Sequence, residues 1–360
     1  MPFSSNQLLN SGSLPAPSWN EVSRIGRFEA DDADEHARNL TAWEQSYDQI
    51  TRGPFHGLLT ELQLPHMQVF LEQTSQAVRQ SCRIGPDAFW FGVQRSATAA
   101  DGRCGSGVRI NGRPVDTDRI MVRRGNCAFE LLTPAGFAVY GIVIGRACLV
   151  GAAQQLGCSI DWTQLARVEV LLAAESTRQV CLKMLDCLMV QDPVDSPHQA
   201  VVRLAWTEQA VTMAVLSLLD ASKPETAASN SFMRRQRIVA LAREHALGQC
   251  DRLITVPDLC ERLHVSRRTL QYCFEDVLGI SPIQYLRIIR LNGARRALCE
   301  HPASSRKVSE IAADWGFWHL GQFSSDYRKL FGKSPSESLR HGTRLASAQC
   351  LSRARELACR

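Results

Sequence analysis

Two hydrophobic rhythms divide this chain. Between about His56 and Ile144, short apolar-rich stretches recur between turn signals: Gly57–Leu64, Met67–Glu72, Ala88–Gln94, Gly107–Ile110, Arg119–Arg123, Cys127–Leu132 and Phe137–Ile144. Their β-branched and aromatic content, with Asn111-Gly112 as a hairpin signal between two of them, predicts a β-rich domain. From Arg146 the spacing becomes helical, over Ala147–Leu156, Val168–Val190 and Pro197–Leu219. The last helix is expected either to form a dimer interface or to cover the sheet, and periodicity does not separate the two. Residues 1–20, rich in Ser, Pro, Asn and Gly, are expected to be disordered. An effector-binding or dimerisation domain is expected over 21–222, and the small polar stretch 223–231 reads as a linker.

The C-terminal third repeats itself. Phe274-Glu275-Asp276-Val277-Leu278-Gly279-Ile280-Ser281-Pro282 returns 53 positions later as Tyr327-Arg328-Lys329-Leu330-Phe331-Gly332-Lys333-Ser334-Pro335. Leu270 and Phe323 lie four residues before the aromatic of each copy, which places a buried stripe on one face of a short helix. Leu259-Cys260 and Ile311-Ala312 are offset by 52, so the second copy carries one extra residue between its two helices. An apolar-small pair, a tight turn and a second helix anchored by Leu or Phe then Phe or Tyr form the skeleton of a helix-turn-helix, and the chain is expected to contain two.

The punctuation agrees. Thr255 is placed to cap a helix through Leu263, with Pro257 and Asp258 in its first turn. Ser266 is placed to cap a second helix, Arg267–Val277, which Gly279 ends. Ser281-Pro282 opens a helix with Tyr285, Ile288, Ile289 and Ala294 on one side, a rigid spacer between the two units. Ser309–Trp315, a turn at Gly316-Phe317, His319–Phe331 and a helix opened by Ser334-Pro335 complete the second unit. The expected class is thus α+β: a β-rich sensor domain with following helices, then an all-α domain over 232–341 and a tail over 342–360.

Charge gives this architecture a partner. Residues 232–360 hold 22 Lys and Arg against 12 Asp and Glu, and residues 1–231 hold 19 against 24. A basic domain tied to an acidic one suits a polyanion, and with paired helix-turn-helix units the expected partner is duplex promoter DNA. The candidate base readers off the buried stripe are Arg267, Arg268, Gln271 and Tyr272 in the first unit and His319, Gln322, Ser324 and Ser325 in the second. Arg328 and Lys329 are better placed for phosphate.

The pattern Leu259-Cys260, Leu263, Val265-Ser266, Leu270, Phe274, then Gly279, Ser281-Pro282, Tyr285, Arg290-Leu291, Ala294-Arg295, then Ile311-Ala312, Gly316-Phe317, Phe323, Tyr327, Phe331-Gly332, Ser334-Pro335 resembles the AraC/XylS transcription regulators. The resemblance implies that one monomer reads two successive major-groove segments, while the N-terminal part binds a small-molecule effector or forms a homodimer. It also implies an activator that meets RNA polymerase. Cys260 stands where Ala is usual, and Tyr272 where Arg often follows the Leu-Gln pair, which makes Gln271 the better base contact. Leu40–Gln49, Phe55-His56-Gly57, Gln68-Val69-Phe70, Ala77–Cys82, Phe89–Gly92, Val265–Gln271 and Trp315–Phe323 resemble the ethanolamine-operon regulators of that family. That similarity implies activation of amine-catabolism genes by ethanolamine, with adenosylcobalamin as a co-effector. The alternatives are a different effector in another metabolic, stress or virulence pathway, and an enzyme with a DNA-binding tail.

Other chemistry is thinly represented. Gly102–Gly107 lacks the Lys and the following helix of a phosphate loop and reads as a hairpin turn. His36, His56 and His66 are too scattered for a metal motif on one element, although a barrel would let them converge. The 13 cysteines include no C-x-x-C pair, and Cys181 and Cys187 do not share a helix face. No leader pattern and no apolar run near the ~20 residues of a membrane span is found, so a reduced, cytoplasmic setting is expected. Trp43, Phe89, Trp90, Phe91 and Tyr140 suit either an effector pocket or a core, with core favoured. No residue set points to catalysis, and no cofactor is required.

Overall fold

The computed structural model describes residues 25–95, 107–190, 197–225, 229–248, 254–300 and 306–340. The N-terminal half contains β1 (Ile25–Ala30), α1 (Ala33–Asn39), β2 (Trp43–Gln49), β3 (Gly57–Leu64), β4 (Met67–Thr74), β5 (Val78–Ile84), β6 (Ala88–Arg95), β7 (Arg109–Ile110), β8 (Arg113–Pro114), β9 (Arg119–Arg124), β10 (Phe129–Thr133) and β11 (Phe137–Gly145). Then come α2 (Arg146–Gln155), α3 (Trp162–Leu165), β12 (Val170–Leu172), α4 (Glu175–Met189), α5 (Pro197–Asp220) and β13 (Lys223–Pro224). The C-terminal half is helical: α6 (Asn230–Gly248), α7 (Val256–Arg262), α8 (Arg267–Leu278), α9 (Pro282–Glu300), α10 (Val308–Asp314), α11 (Leu320–Phe331) and a last helix, α12, over 335–340.

The strands form two sheets. Sheet A runs β1-β3-β4-β11-β6-β9-β12-β13 and sheet B runs β2-β5-β10-β7-β8, with every pairing antiparallel. Alternation sorts the side chains of sheet A. Phe70, Trp90, Val139 and Val143 point between the sheets with Cys82, Ile84, Phe129 and Leu131 of sheet B. Val69, Phe89, Phe91, Tyr140 and Ile142 point the other way, beneath Leu149 of α2, Leu182 and Leu185 of α4 and Val211 and Val215 of α5. Burial on both faces explains why these strands read as nearly continuous apolar runs.

The structure departs from the sequence expectations in three places. Val168–Val190 is not one helix, because Val170–Leu172 pairs with β9 as a strand and the helix starts at Glu175. A three-residue Val-Leu-Leu run suits either conformation, and the free edge of β9 takes it into the sheet. The stretch expected as linker begins with Lys223–Pro224, which pairs with β12. Strands β2 and β5 carry too many polar residues to be read as strands, because Asp48 and Arg79 on their outer face are buried by other charged groups. The inner face of the helix over 197–219, α5, covers the sheet, with Val211, Val215, Leu216 and Leu218 in the core.

In the C-terminal half the caps lie where the sequence places them. Thr255 and Asp258 form a reciprocal capping box at α7, Ser266 Oγ accepts the Thr269 N–H at α8, and Gly279 and Gly332 end α8 and α11 with φ of 72°. Two cores result. Leu259, Leu270, Phe274, Val277 and Tyr285 join α6 to α9, and Leu291, Ala294, Ile311, Phe323 and Tyr327 join α9 to α11. Helix α9 serves both, and Gly293 leaves room on it for the Trp315 indole.

Candidate nucleic-acid interface

Helix α8 presents Arg267 and Arg268 in its first turn, both exposed, while Leu270, Cys273, Phe274 and Val277 face inward. Gln271 is half-buried and donates to Glu275 one turn on, which leaves its amide oxygen available as an acceptor. Tyr272 is exposed, and the Arg235 guanidinium of α6 lies 5.4 Å over its ring. Its neighbourhood is therefore α6, in keeping with the preference for Gln271.

Helix α11 is the counterpart of α8 at an offset of 53, but its exposed face is different. Ser324, Ser325, Arg328 and Lys329 are exposed, and His319 is the N-cap residue with no side-chain cap hydrogen bond. Gln322 donates to both Asp326 oxygens at 3.0 Å, and Asp326 also pairs with Arg287 of α9. Lys329 lines a groove with Arg52, Gln284 and Arg287, on the side facing the sandwich. Beside His319 stand two exposed apolar residues absent from the sequence assignment, Trp318 at 73% and Leu320 at 45% exposure. The signal was present at positions 318 and 320, which align with Val265 and Arg267 of the first copy.

The sandwich docks onto this domain at equivalent positions of the two copies. At the end of α8 the β7–β8 turn closes on Val277: a Cβ on Gly112 would lie 2.5 Å from Val277 Cγ1, and Arg109 donates to the Asp276 carbonyl at 2.8 Å. At the end of α11 the loop after β2 closes on Leu330, whose carbonyl accepts from Gly53 N at 3.1 Å and Gln49 Nε2 at 2.6 Å. Val277 and Leu330 are related by the same offset of 53. The C-terminal ends of both helices are thus held and their N-terminal ends left open.

Between these grips, α9 lies against sheet B through polar groups. Asn292, fully buried, accepts from Gln49 N and donates to Gln49 O, each at 3.0 Å. Arg295, also buried, pairs with Asp32 and Asp34, and Arg296 reaches Asp48 Oδ1 at 2.6 Å and the Tyr47 carbonyl at 2.7 Å. Asp48 in turn takes Arg79 at 3.0 Å, and Glu130 takes Arg243 at 2.9 Å. Burial alone would push the Asp32 carboxyl up, but Arg295 and Lys333 outweigh it and hold it well below the usual carboxylate range. Asp48 behaves alike, with Arg296 and Arg79 prevailing over burial. Asp32 also caps α1 by accepting the Asp34 and Glu35 N–H groups, so one carboxylate ties a sensor-domain helix to α9. Beside this contact is a cavity of about 240 Å³ lined by Ser81, Phe129, Glu130, Arg243, Val277 and Tyr285.

Residues 259–341 match the helix-turn-helix domain family. Within this part the chain is 41% identical over 103 residues to a probable thc operon regulatory protein of Rhodococcus erythropolis, covering 29% of this chain and 31% of that one. Residues 259–341 thus form a helix-turn-helix domain. A XylDLEGF operon transcriptional activator of Pseudomonas putida is 40% identical over 89 residues, 25% of this chain and 28% of that protein. A probable AraC family transcriptional regulator from Rhodopseudomonas palustris CGA009 is 30% identical, covering 29% of this chain and 97% of that structure with a TM-score of 0.27. The chain spans about three tenths of the length of the two curated relatives.

The other candidates fall into the core or stand apart. Trp43 and Trp90 pack with Phe129 between the sheets, and Phe89, Phe91 and Tyr140 lie under the helices. His36 is buried with Nε2 3.2 Å from Glu72 Oε1, His56 is exposed beside Asp31, and the His66 N–H donates to Glu208. Among the described residues no group of three or more His, Cys, Asp or Glu is placed to hold a metal ion, and no helix is long and apolar enough to cross a membrane. The turn at Gly102 lies outside the described residues.

Proposed function

We propose that the chain is a sequence-specific transcription regulator with two helix-turn-helix units that read successive major-groove segments of one duplex. The observation that carries this proposal is the grip of the sandwich on Val277 and Leu330, equivalent positions of the two copies, with the N-terminal ends of α8 and α11 left open. Helix N-termini are the parts of recognition helices that meet base edges. Arg267, Arg268 and Gln271 read bases in the first segment, His319, Ser324 and Ser325 in the second, and Arg328 and Lys329 bind phosphate. The acidic sandwich carries the effector signal, and its docking on α9 transmits it. The exposed face of α5, with Val202, Trp206 and Met213, forms the homodimer contact, and the bound protein activates transcription with RNA polymerase.

Ethanolamine, with adenosylcobalamin as co-effector, is the first effector to test, on the resemblance of Leu40–Gln49 and Trp315–Phe323 to ethanolamine-operon regulators. The deciding experiment is DNA protection on duplexes selected from a random pool, with and without both ligands. Each protomer is expected to protect two groove segments about 34 Å apart on one DNA face. Protection of a single segment per protomer would defeat the two-unit proposal, and protection indifferent to both ligands would remove those effectors alone.

A further inference from the structure

The two copies share their buried skeleton and differ at the open end. In the first copy the residue before the N-cap, Val265, packs into the core, and the first helical positions are Arg267 and Arg268. At the same offsets the second copy has Trp318, Leu320 and Gly321. A tryptophan and a leucine are thus both exposed, one on each side of the N-cap of a helix whose inner face is already filled by Phe323 and Tyr327. Gly321 is the second residue of α11, and among the described residues a Cβ there would meet no heavy atom within 4 Å. Glycine at that place leaves room for close approach of an outside surface.

Charge identifies that surface. Arg306 and Lys307 precede α10, Arg328 lies further along α11, and the domain as a whole is strongly basic. An apolar pair in a basic setting at the open end of a recognition helix fits the one apolar feature of the major groove, the C5-methyl group of thymine. Polar readout in this copy rests on His319 and the short side chains of Ser324 and Ser325, because Gln322 donates to Asp326.

We infer that Trp318 and Leu320 form an apolar reading site for thymine methyl groups, which the second unit adds to the hydrogen bonds of its polar readers. This rests on the DNA-reading function proposed above. Burying one methyl against these side chains is worth about one CH₂-equivalent, and its loss corresponds to about fourfold in affinity.

The test uses the full chain and a duplex selected from a random pool. Binding to that duplex is first compared with binding to random duplex at fixed salt; equal affinities would remove the DNA-reading function itself. Each thymine is then replaced by deoxyuridine, which deletes only the methyl. At least one replacement is expected to weaken wild-type binding about fourfold and to have no effect on Trp318→Ala or Leu320→Ala. Trp318→Phe is expected to restore most of the methyl preference. Specific binding in which every deoxyuridine duplex binds as well as its thymine parent overturns the inference and leaves the DNA-reading function standing. So does a methyl preference that Trp318→Ala and Leu320→Ala both retain. Both residues are exposed, so the variants are expected to fold, and an unchanged melting temperature checks this.

Discussion

Sheet A and sheet B of the sandwich are covered by different chemistry. Over sheet A lie Leu149, Leu182, Leu185 and Val215, an apolar cover continuous with the core. Over sheet B lie Asn292, Arg295 and Arg296, which meet Gln49, Asp32, Asp34 and Asp48. An apolar cover gains from leaving water and has nothing to gain from reopening. A charged cover repays the desolvation of its groups only while every partner is in place. The contrast marks α2, α4 and α5 as parts of one folded unit and the contact between α9 and the sandwich as a joint.

The largest effect is expected from breaking the joint at its most buried charge. Arg295→Met leaves Asp32 and Asp34 without their shared partner and is expected to cost about 3–5 kcal/mol of docking. Small-angle scattering should show an increased radius of gyration, whereas an unchanged radius would make the joint indifferent to its ion pairs. The comparison sharpens with Leu185→Ala on the other side. Leu185 is fully buried, and the cavity is expected to cost about 2–5 kcal/mol of sandwich stability, with the docked shape of the folded fraction retained. Denaturant melts read beside scattering separate the two.

A smaller effect is expected from Asn292→Ala. Both its side-chain groups bond the Gln49 backbone, and leaving that N–H and carbonyl buried without partners is expected to cost about 1–3 kcal/mol, read as easier separation of the domains in urea. Acid acts on the same joint. The Asp32 and Asp48 carboxyls are held below their unfolded values, so their contribution is present above an ordinary carboxylate pKa of about 4 and is lost as pH falls through the lower native values. Scattering is expected to show a docked molecule through the range where ordinary surface carboxylates protonate, with opening only below it. The smallest effect concerns one copy alone: Thr255→Ala removes the capping box of α7 and is expected to cost about 1 kcal/mol of C-terminal domain stability, seen in thermal melts.

This contrast also explains what could be read from sequence. The central strands of sheet A, β3, β4, β6, β9 and β11, are legible because both faces are apolar, and α8 and α11 because their buried stripes and terminal glycines repeat. The polar positions of the joint were not. Asp48, Arg79, Asn292 and Arg295 look like solvated residues in a linear pattern, and only the fold shows that they bury one another. For the same reason β2 and β5 escaped prediction, and α9 was read as a spacer with one apolar side although Asn292 and Arg295 make its other side a contact surface. Trp318 and Leu320 stand in the sequence as apolar residues, which carry no hydrogen-bonding signal for a base edge.

The central claim is that docking of the sandwich prepares the two helix pairs to read DNA together. Asn292→Ala tests it most directly, because the residue is neutral, buried and remote from the open helix ends, so it reaches DNA only through the joint. Titration of a selected duplex and of random duplex by wild type and variant is the measurement. A loss of about fivefold on the selected duplex, equivalent to about 1 kcal/mol of lost preorganisation, with random duplex unaffected, is the predicted result. Unchanged affinity for the selected duplex, despite easier domain separation in urea, would contradict the claim.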